Sequence, residues 1–168
     1  SLLYNEDLFR RMLFQSGDVS NITYYVKDTN CFWYYTRLFS SSCYLDVEEE
    51  DWYQKTMEAK HNIYVQPLNH HSELINDKVK NISTTGITLH RQVKNIFNGE
   101  VYGIVSMNIE IDAIKRVFDG MTSEDTVVVL CNTAGEVIYQ DKLIDEQLLE
   151  IPEELIEVRN REGVIEYA

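Results

Sequence analysis

The segment that follows Asn98-Gly99 constrains the fold of this chain more than any other. Asn-Gly is the strongest short signal for a β-hairpin turn, and the strand after it alternates strictly between two faces. One face is predicted to carry Val101, Gly103, Val105, Met107, Ile109 and Ile111, and the other Tyr102, Ile104, Ser106 and Asn108. The period then becomes helical, through Ile111, Ile114, Val117 and Phe118, and stops at Gly120. A hairpin strand that runs directly into a short amphipathic helix is typical of small ligand-sensing modules, so this pattern indicates sensing rather than catalysis.

The remaining periodicity predicts an α+β domain in which five antiparallel strands pack against helices, a PAS-like architecture. The four strands that precede the signature strand are predicted at residues 21–27, 31–38, 63–68 and 81–93. One helix is predicted at residues 2–15. A second is predicted between Asp46 and Asn62, where Asp46 and Glu49 fit a capping box. The serines at 40–42 and the polar stretch 69–80 are predicted to be loops.

A second pattern begins after Met121 and predicts an incomplete module. Its elements are an apolar strand, a turn, a return strand, an acidic and partly helical stretch, and the start of a further strand, at residues 126–130, 132–135, 136–139, 143–158 and 163–167. These elements are too few to close a second sheet. We therefore expect a first domain at residues 1–121 and a partial second module at residues 122–168, in a chain that is a piece of a longer protein.

Charge and hydropathy exclude some classes of function. The chain has 15 basic and 28 acidic residues, a net charge of −13, which repels nucleic acid and anionic membranes. No apolar run approaches the roughly 20 residues that a membrane-spanning helix needs. The three cysteines, Cys31, Cys43 and Cys131, lack the spacing of a metal site. A Cys31–Cys43 bridge is geometrically possible, but free thiols are favoured.

No motif for catalysis is found in the sequence. It contains no glycine-rich phosphate loop, nucleophile elbow or metal-binding helix. The pair His70-His71 falls in a polar loop, where adjacent residues rarely share one ion, so we expect it to be exposed and unliganded. We therefore predict no catalytic residue, no metal and no cofactor for this fragment.

Three stretches of the chain resemble the double-Cache family of extracytoplasmic sensor domains. They are the aromatic pair Trp52-Tyr53, the hairpin formed by residues 87–93 and 99–105, and the segment 128–139. The resemblance implies a PAS-like module on the extracellular face of a bacterial membrane, belonging to a two-component sensor histidine kinase anchored in that membrane. It also implies a homodimer in the intact receptor. The helix at residues 2–15 is the candidate contact and link to the membrane, and the alternative is that its apolar stripe packs on its own sheet.

The resemblance further suggests which ligand is not bound. Amino-acid-sensing members carry an Arg two residues before the Trp-Tyr pair and an acidic residue late in the last strand, which hold the carboxylate and the ammonium of the ligand. Here these positions are Glu50 and Asn108, so a free α-amino acid is not expected. The remaining candidate ligand-binding residues are Trp52, Tyr53, Tyr64, Thr88, His90, Arg91 and Asn108, with Tyr35 and Arg37 as further candidates. Such a set suits a sugar or another small polar ligand.

Alternative functions remain open at this point. The partner could be a ligand-loaded solute-binding protein instead of a small molecule. A chemoreceptor ectodomain of the same fold fits the sequence as well. A cytosolic PAS- or profilin-like module that binds only proteins is also consistent, and the three cysteines without a disulfide pattern favour it.

Overall fold

The chain folds as an α+β structure built on one six-stranded antiparallel sheet. The computed structural model describes residues 2–67, 86–121, 123, 126–132 and 135–142. The helices are α1 (Leu2–Gln15), α2 (Asp51–Glu58) and α3 (Ile111–Val117). The strands are β1 (Val19–Val26), β2 (Cys31–Thr36), β3 (Ser40–Tyr44), β4 (Ile63–Gln66), β5 (Gly86–Lys94), β6 (Val101–Glu110), β7 (Val129–Cys131) and β8 (Val137–Gln140). The sheet has the order β3-β2-β1-β6-β5-β4, and β7 and β8 form a separate hairpin.

Helices cover both faces of the sheet, because its strands alternate between two buried sets of side chains. The α1 face carries α1 and is defined by the cluster Phe9, Leu13, Ile22 and Tyr35. The α2 face carries α2 and is defined by the cluster Tyr25, Phe32, Tyr34, Val47, Trp52, Tyr53, Tyr64 and Ile104. Burial of apolar area on both faces stabilises the domain by about 25 cal/mol per Å².

The strand-to-helix transition at the end of β6 agrees with the sequence pattern. Val105 and Ile104 lie opposite Tyr24 and Tyr25 of β1, so successive β6 residues do face opposite sides. The helix α3 begins at Ile111, immediately after β6. The turn before β6 is closed by a hydrogen bond from the Gly99 amide to the Asn95 carbonyl at 2.8 Å, and Gly99 has a φ of +74°, which glycine adopts without strain.

Two local predictions are wrong. The serines at 40–42 do not form a loop but begin β3, so the sheet has six strands instead of five. Serine has little intrinsic preference for strands, but β2 supplies the backbone partners, such as Tyr34 opposite Ser41. The second error concerns α2, which begins at Asp51 without a side-chain cap. Asp46 instead accepts a hydrogen bond from the Glu48 amide at 3.2 Å.

Val47 gives the physical reason for the late start of α2. Its side chain is fully buried in the cluster of the α2 face. Burying it draws the segment before α2 against the sheet, and the chain turns there instead of continuing as a helix. Tertiary packing has overridden a local capping signal.

The β7–β8 hairpin packs against the first region. Ile138 and Tyr139 share an apolar cluster with Ile87 of β5 and Ile114 of α3. The rings of Phe118 and Tyr139 are stacked, with centroids 6.1 Å apart. Apolar contacts therefore cross the predicted boundary after residue 121, and the division into two domains stays a prediction. The predicted elements at 69–80, 143–158 and 163–167 lie outside the described residues.

Two further features bear on the predictions from the sequence. Cys31, Cys43 and Cys131 are free thiols. Cys43 lies opposite Phe32 and not Cys31, which places Cys31 and Cys43 on different faces of the sheet. Among the helices of the described ranges, none has the length and apolar character required to cross a membrane.

Candidate functional site

The helix α2 presents two aromatic side chains to its face of the sheet. Trp52, Tyr53 and Thr56 are its buried residues. The Thr56 hydroxyl donates to the Trp52 carbonyl at 2.6 Å, and the Gln92 amide of β5 donates to the Thr56 carbonyl at 2.6 Å. The Thr56 carbonyl also accepts from the Ala59 amide at 3.3 Å, and the Gln92 amide donates in addition to the Met57 carbonyl at 3.0 Å. The bonds from Gln92 fix the helix, and with it Trp52, against β5.

His90 lies between the two aromatic rings that α2 and β4 provide. Its ring stacks on Trp52 with centroids 4.9 Å apart and an interplanar angle of 24°. It also stacks on Tyr64 at 5.9 Å and 15°. His90 is fully buried. The planes of the Trp52 and Tyr64 rings therefore both lie within 24° of the plane of the His90 ring.

Both nitrogens of His90 have hydrogen-bond partners. Nδ1 lies 2.8 Å from the Ser106 hydroxyl, and Nε2 lies 2.9 Å from Oε1 of Gln66. Because a carbonyl oxygen only accepts, we assign the ring proton to Nε2, so that Nδ1 accepts from Ser106. Burial lowers the pKa of His90 to about 3. The imidazole is therefore neutral at physiological pH, which removes one possible charge from the site.

The rings of Trp52, Tyr53 and Tyr64 form the aromatic wall of this face, and two buried polar atoms of the wall have no hydrogen bond. Trp52 and Tyr64 are only 3 % and 8 % exposed. Within the part of the chain that the structure describes, the Trp52 indole Nε1 and the Tyr64 hydroxyl find no partner. Leaving a buried donor unsatisfied costs about 1–3 kcal/mol. Such atoms are rare in native structures and indicate a group that accepts from them, such as a ligand or a water.

Next to the aromatic wall, buried amides and hydroxyls form a polar floor. Asn108 of β6 is 2 % exposed, and its Oδ1 accepts from the Ser20 hydroxyl at 2.7 Å. Its Nδ2 donates to the Thr88 hydroxyl at 3.0 Å. The Asn21 side chain also donates to Ser20, at 3.3 Å. The register of β1 shifts between Val19 and Asn21, and this bulge allows Ser20 to reach Asn108.

A charged group lies at the rim of the aromatic wall. The Lys55 ammonium is 5.6 Å from the centroid of the Tyr64 ring and forms no hydrogen bond of standard geometry with its hydroxyl. Burial raises the pKa of Tyr64, and the nearby Lys55 ammonium opposes this by lowering it. The ammonium pairs with Asp51 at 3.2 Å and with Glu136 of the β7–β8 hairpin at 3.6 Å. Burial alone lowers the pKa of Lys55, but the hydrogen bond with Asp51 and the electrostatic interactions with Tyr64 and Glu136 together outweigh it and raise the pKa. This cation is therefore already neutralised by two carboxylates.

The structure brings together most of the candidate residues but not all. Trp52, Tyr53, Tyr64, Thr88, His90 and Asn108 belong to the α2 face. Tyr53 completes the aromatic wall, with its ring centroid 6.1 Å from that of Trp52.

The other three candidates lie elsewhere and do not share the α2 face with Trp52, so the expectation that they line one site with Trp52 is corrected. Tyr35 packs against Phe9 of α1, with ring centroids 5.2 Å apart. Arg91 is exposed and follows His90 directly, so it points to the α1 side of the sheet. Arg37 lies at the end of α1, where its guanidinium donates to the carbonyls of Leu13, Ser16, Gly17 and Val19 at 2.9–3.1 Å. It closes the end of a helix and is not part of the α2 face.

The sequence analysis missed Gln66, Ser106, Ser20, Asn21 and Lys55. Ser106 could have been found, because it shares its predicted strand face with Asn108. Gln66 could not, since its approach to His90 depends on the register in which Gln66 lies opposite Thr88 and Tyr64 opposite His90. Lys55 could not be found either, because its ion pair with Glu136 depends on where the β7–β8 hairpin packs.

A metal centre is not seen in the described part of the chain. None of its groups of His, Cys, Asp and Glu side chains is arranged to hold an ion. His70 and His71 lie outside the described residues.

In the comparisons with known proteins, no family model, curated protein or solved structure matches the chain.

Proposed function

We propose that this chain is the ligand-sensing region of a PAS-like, double-Cache type receptor, the extracytoplasmic part of a membrane-anchored sensor histidine kinase, and that its α2 face binds a small uncharged polar ligand. The order of the elements supports this proposal: a helix, a strand pair, a helix, a short strand, and a long hairpin that leads into a helix. The Trp52-Tyr53 pair lies on the helix that faces the sheet, as the family resemblance implies.

One observation carries the binding part of the proposal. The Trp52 indole N–H and the Tyr64 hydroxyl are buried without a hydrogen bond among the described residues, on a face that also carries a polar floor of amides and hydroxyls. Where a buried face serves only for packing, its buried polar atoms are almost always hydrogen-bonded within the protein. A ligand oxygen that accepts hydrogen bonds from these two groups would remove the free-energy cost of leaving them unsatisfied.

The charges around the wall favour a neutral ligand. His90 is uncharged, and the Lys55 ammonium is paired with Asp51 and Glu136, so no unpaired cation is offered to a carboxylate by these residues. Glu50, at the N-cap of α2, takes the place of the arginine that amino-acid sensors use. A sugar or polyol presents hydroxyl oxygens that can both accept from Trp52 and donate to amide oxygens.

A thermal-shift screen tests the proposal. The purified chain is heated with sugars, polyols, amino acids, organic acids and nucleobases, each in separate wells. A ligand at 100 times its Kd adds about 2.7 kcal/mol to the free energy of unfolding, and the midpoint rises. We expect the shift from a sugar or polyol.

Two conservative variants then locate the site. Tyr64→Phe removes one donor and keeps the ring, and Trp52→Phe removes one donor and replaces the indole by a smaller aromatic ring. Each is expected to weaken calorimetric binding by about two- to tenfold, the equivalent of one hydrogen bond. Trp33→Phe is the matched control, because Trp33 packs with the cluster of the α1 face. A hit that depends on Trp33 and not on Trp52 would contradict the site. No shift in any class would favour the protein-interaction module.

A further inference from the structure

Lys55 is the residue through which α2 contacts the β7–β8 hairpin by an ion pair. It lies one turn after Trp52 on α2, and its ammonium lies over the Tyr64 ring of the aromatic wall. The same ammonium is 3.6 Å from a carboxylate oxygen of Glu136, which precedes β8. The side chain is about one-third exposed, so it is partly shielded from solvent screening.

Glu136 is held in place from the hairpin side. Its second carboxylate oxygen accepts from the Asn132 side-chain amide at 2.6 Å, and its backbone amide donates to Oδ1 of Asn132 at 3.0 Å. Asn132 in turn donates its backbone amide to the Glu136 carbonyl at 3.0 Å. The carboxylate that Lys55 meets is therefore a fixed part of the β7–β8 turn, and it cannot follow the ammonium without moving the hairpin.

The hairpin is also attached through apolar contacts on another element. Ile138 and Tyr139 pack with Ile87 and Ile114. These contacts supply most of the docking energy, because an exposed ion pair contributes little. The ion pair adds something that the apolar cluster lacks, a direct contact between the hairpin and the helix that carries Trp52.

We propose that the Lys55–Glu136 ion pair couples the aromatic wall of the site to the docking of the β7–β8 hairpin, so that a change at Trp52 and Tyr64 is passed to the second region of the chain. This inference rests on the proposed function, because it describes how ligand binding at the α2 face would change the docking of the β7–β8 hairpin. A ligand oxygen seated beside Tyr64 would compete with Glu136 for the ammonium and loosen the hairpin. Coupling of this kind is reciprocal, so loosening the hairpin also changes the wall.

The coupling is measured from both ends in the ligand-free chain. Hydrogen exchange with mass spectrometry reports the protection of the β7–β8 amides. Acrylamide quenching of Trp52 fluorescence reports the wall, in a Trp33→Phe background that leaves Trp52 as the remaining tryptophan. Lys55→Met, Glu136→Gln and the double variant are compared. Lys115→Met and Asp7→Asn are the controls, because both remove a charge from exposed ion pairs on other helices.

We expect Lys55→Met and Glu136→Gln to accelerate hairpin exchange about two- to fivefold and to increase the quenching of Trp52, while the controls change neither. The double variant should equal the single variants, because both remove the same interaction. Faster exchange without a change in quenching would overturn the proposal, as would additive effects or no effect. Since no ligand is added, a failed ligand screen leaves this result intact, and a failed coupling leaves the proposed binding site intact.

Discussion

The two faces of the sheet differ in the kind of residue that they bury. The α1 face is closed by aliphatic and aromatic side chains, with Leu13 and Ile22 fully buried. The α2 face buries a larger and mainly aromatic cluster and adds polar residues from the strands, namely Asn21, His90, Gln92, Ser106 and Asn108. Buried polar groups cost free energy unless they are satisfied. A single sheet therefore separates two tasks, with packing on one face and a specific polar arrangement on the other.

The largest effect is expected on the α1 face. Leu13→Ala should lower the free energy of unfolding by about 2–5 kcal/mol, because it leaves a cavity between α1 and the sheet. Urea denaturation measures the loss. Met12→Ala is the matched control on the same helix, since Met12 is exposed, and it should cost less than about 1 kcal/mol. Equal losses for the two variants would mean that α1 does not pack as described.

The second prediction concerns the pH dependence of the α2 face. The pKa of His90 falls from 6.5 to about 3 on folding, so the unfolded chain binds a proton that the folded chain does not between these values. The free energy of unfolding should therefore decrease as the pH falls from about 6.5, with a slope of up to about 1.4 kcal/mol per pH unit from this one group.

The interval between about pH 6.5 and 5 is the informative one, because carboxylates with ordinary pKa values stay ionised there. Urea denaturation at several pH values gives the slope. His90→Gln is expected to remove this part of the slope, whatever its effect on stability at pH 7. An unchanged slope in the variant would show that His90 is accessible to protons in the folded chain.

The smallest expected change in the free energy of unfolding comes from removing single tyrosine hydroxyls of the α2 face, one with and one without a hydrogen-bond partner. Tyr64→Phe removes a buried hydroxyl without a described partner, and should leave stability unchanged or raise it by up to about 1 kcal/mol. Tyr25→Phe is the matched comparison, because the Tyr25 hydroxyl donates to Oδ1 of Asn30 at 2.7 Å. It should cost about 0.5–1.5 kcal/mol in the same urea titration. A larger cost for Tyr64→Phe would show that its hydroxyl is satisfied.

The parts of the fold that were predictable are those in which local pattern and tertiary structure agree. The sequence pattern predicts the alternation of β6 and the change to a helix at Ile111, and the structure contains both. β3 was not predictable, since serines form a strand there only because β2 offers its backbone. The start of α2 was missed because the burial of Val47 outweighs the capping signal of Asp46.

The candidate site was predictable to the extent that strand alternation was applied. Alternation along β5 places His90 and Thr88 on one face and Arg91 on the other, and alternation along β6 places Ser106 with Asn108. The error with Tyr35 and Arg37 came from grouping residues by chemistry before assigning them to faces. The contacts of Gln66 with His90 and of Lys55 with Glu136 join residues far apart in the chain, and no local pattern encodes them.

The guanidinium of Arg37 also determines how the first helix can move. It contacts carbonyls on both sides of the turn between α1 and β1, from Leu13 to Val19, while its own backbone follows the end of β2. These hydrogen bonds oppose bending of the turn. We therefore expect a tilt or rotation of α1 to displace the start of β1 and the end of β2 together, so that the helix and these two strand ends move as one unit.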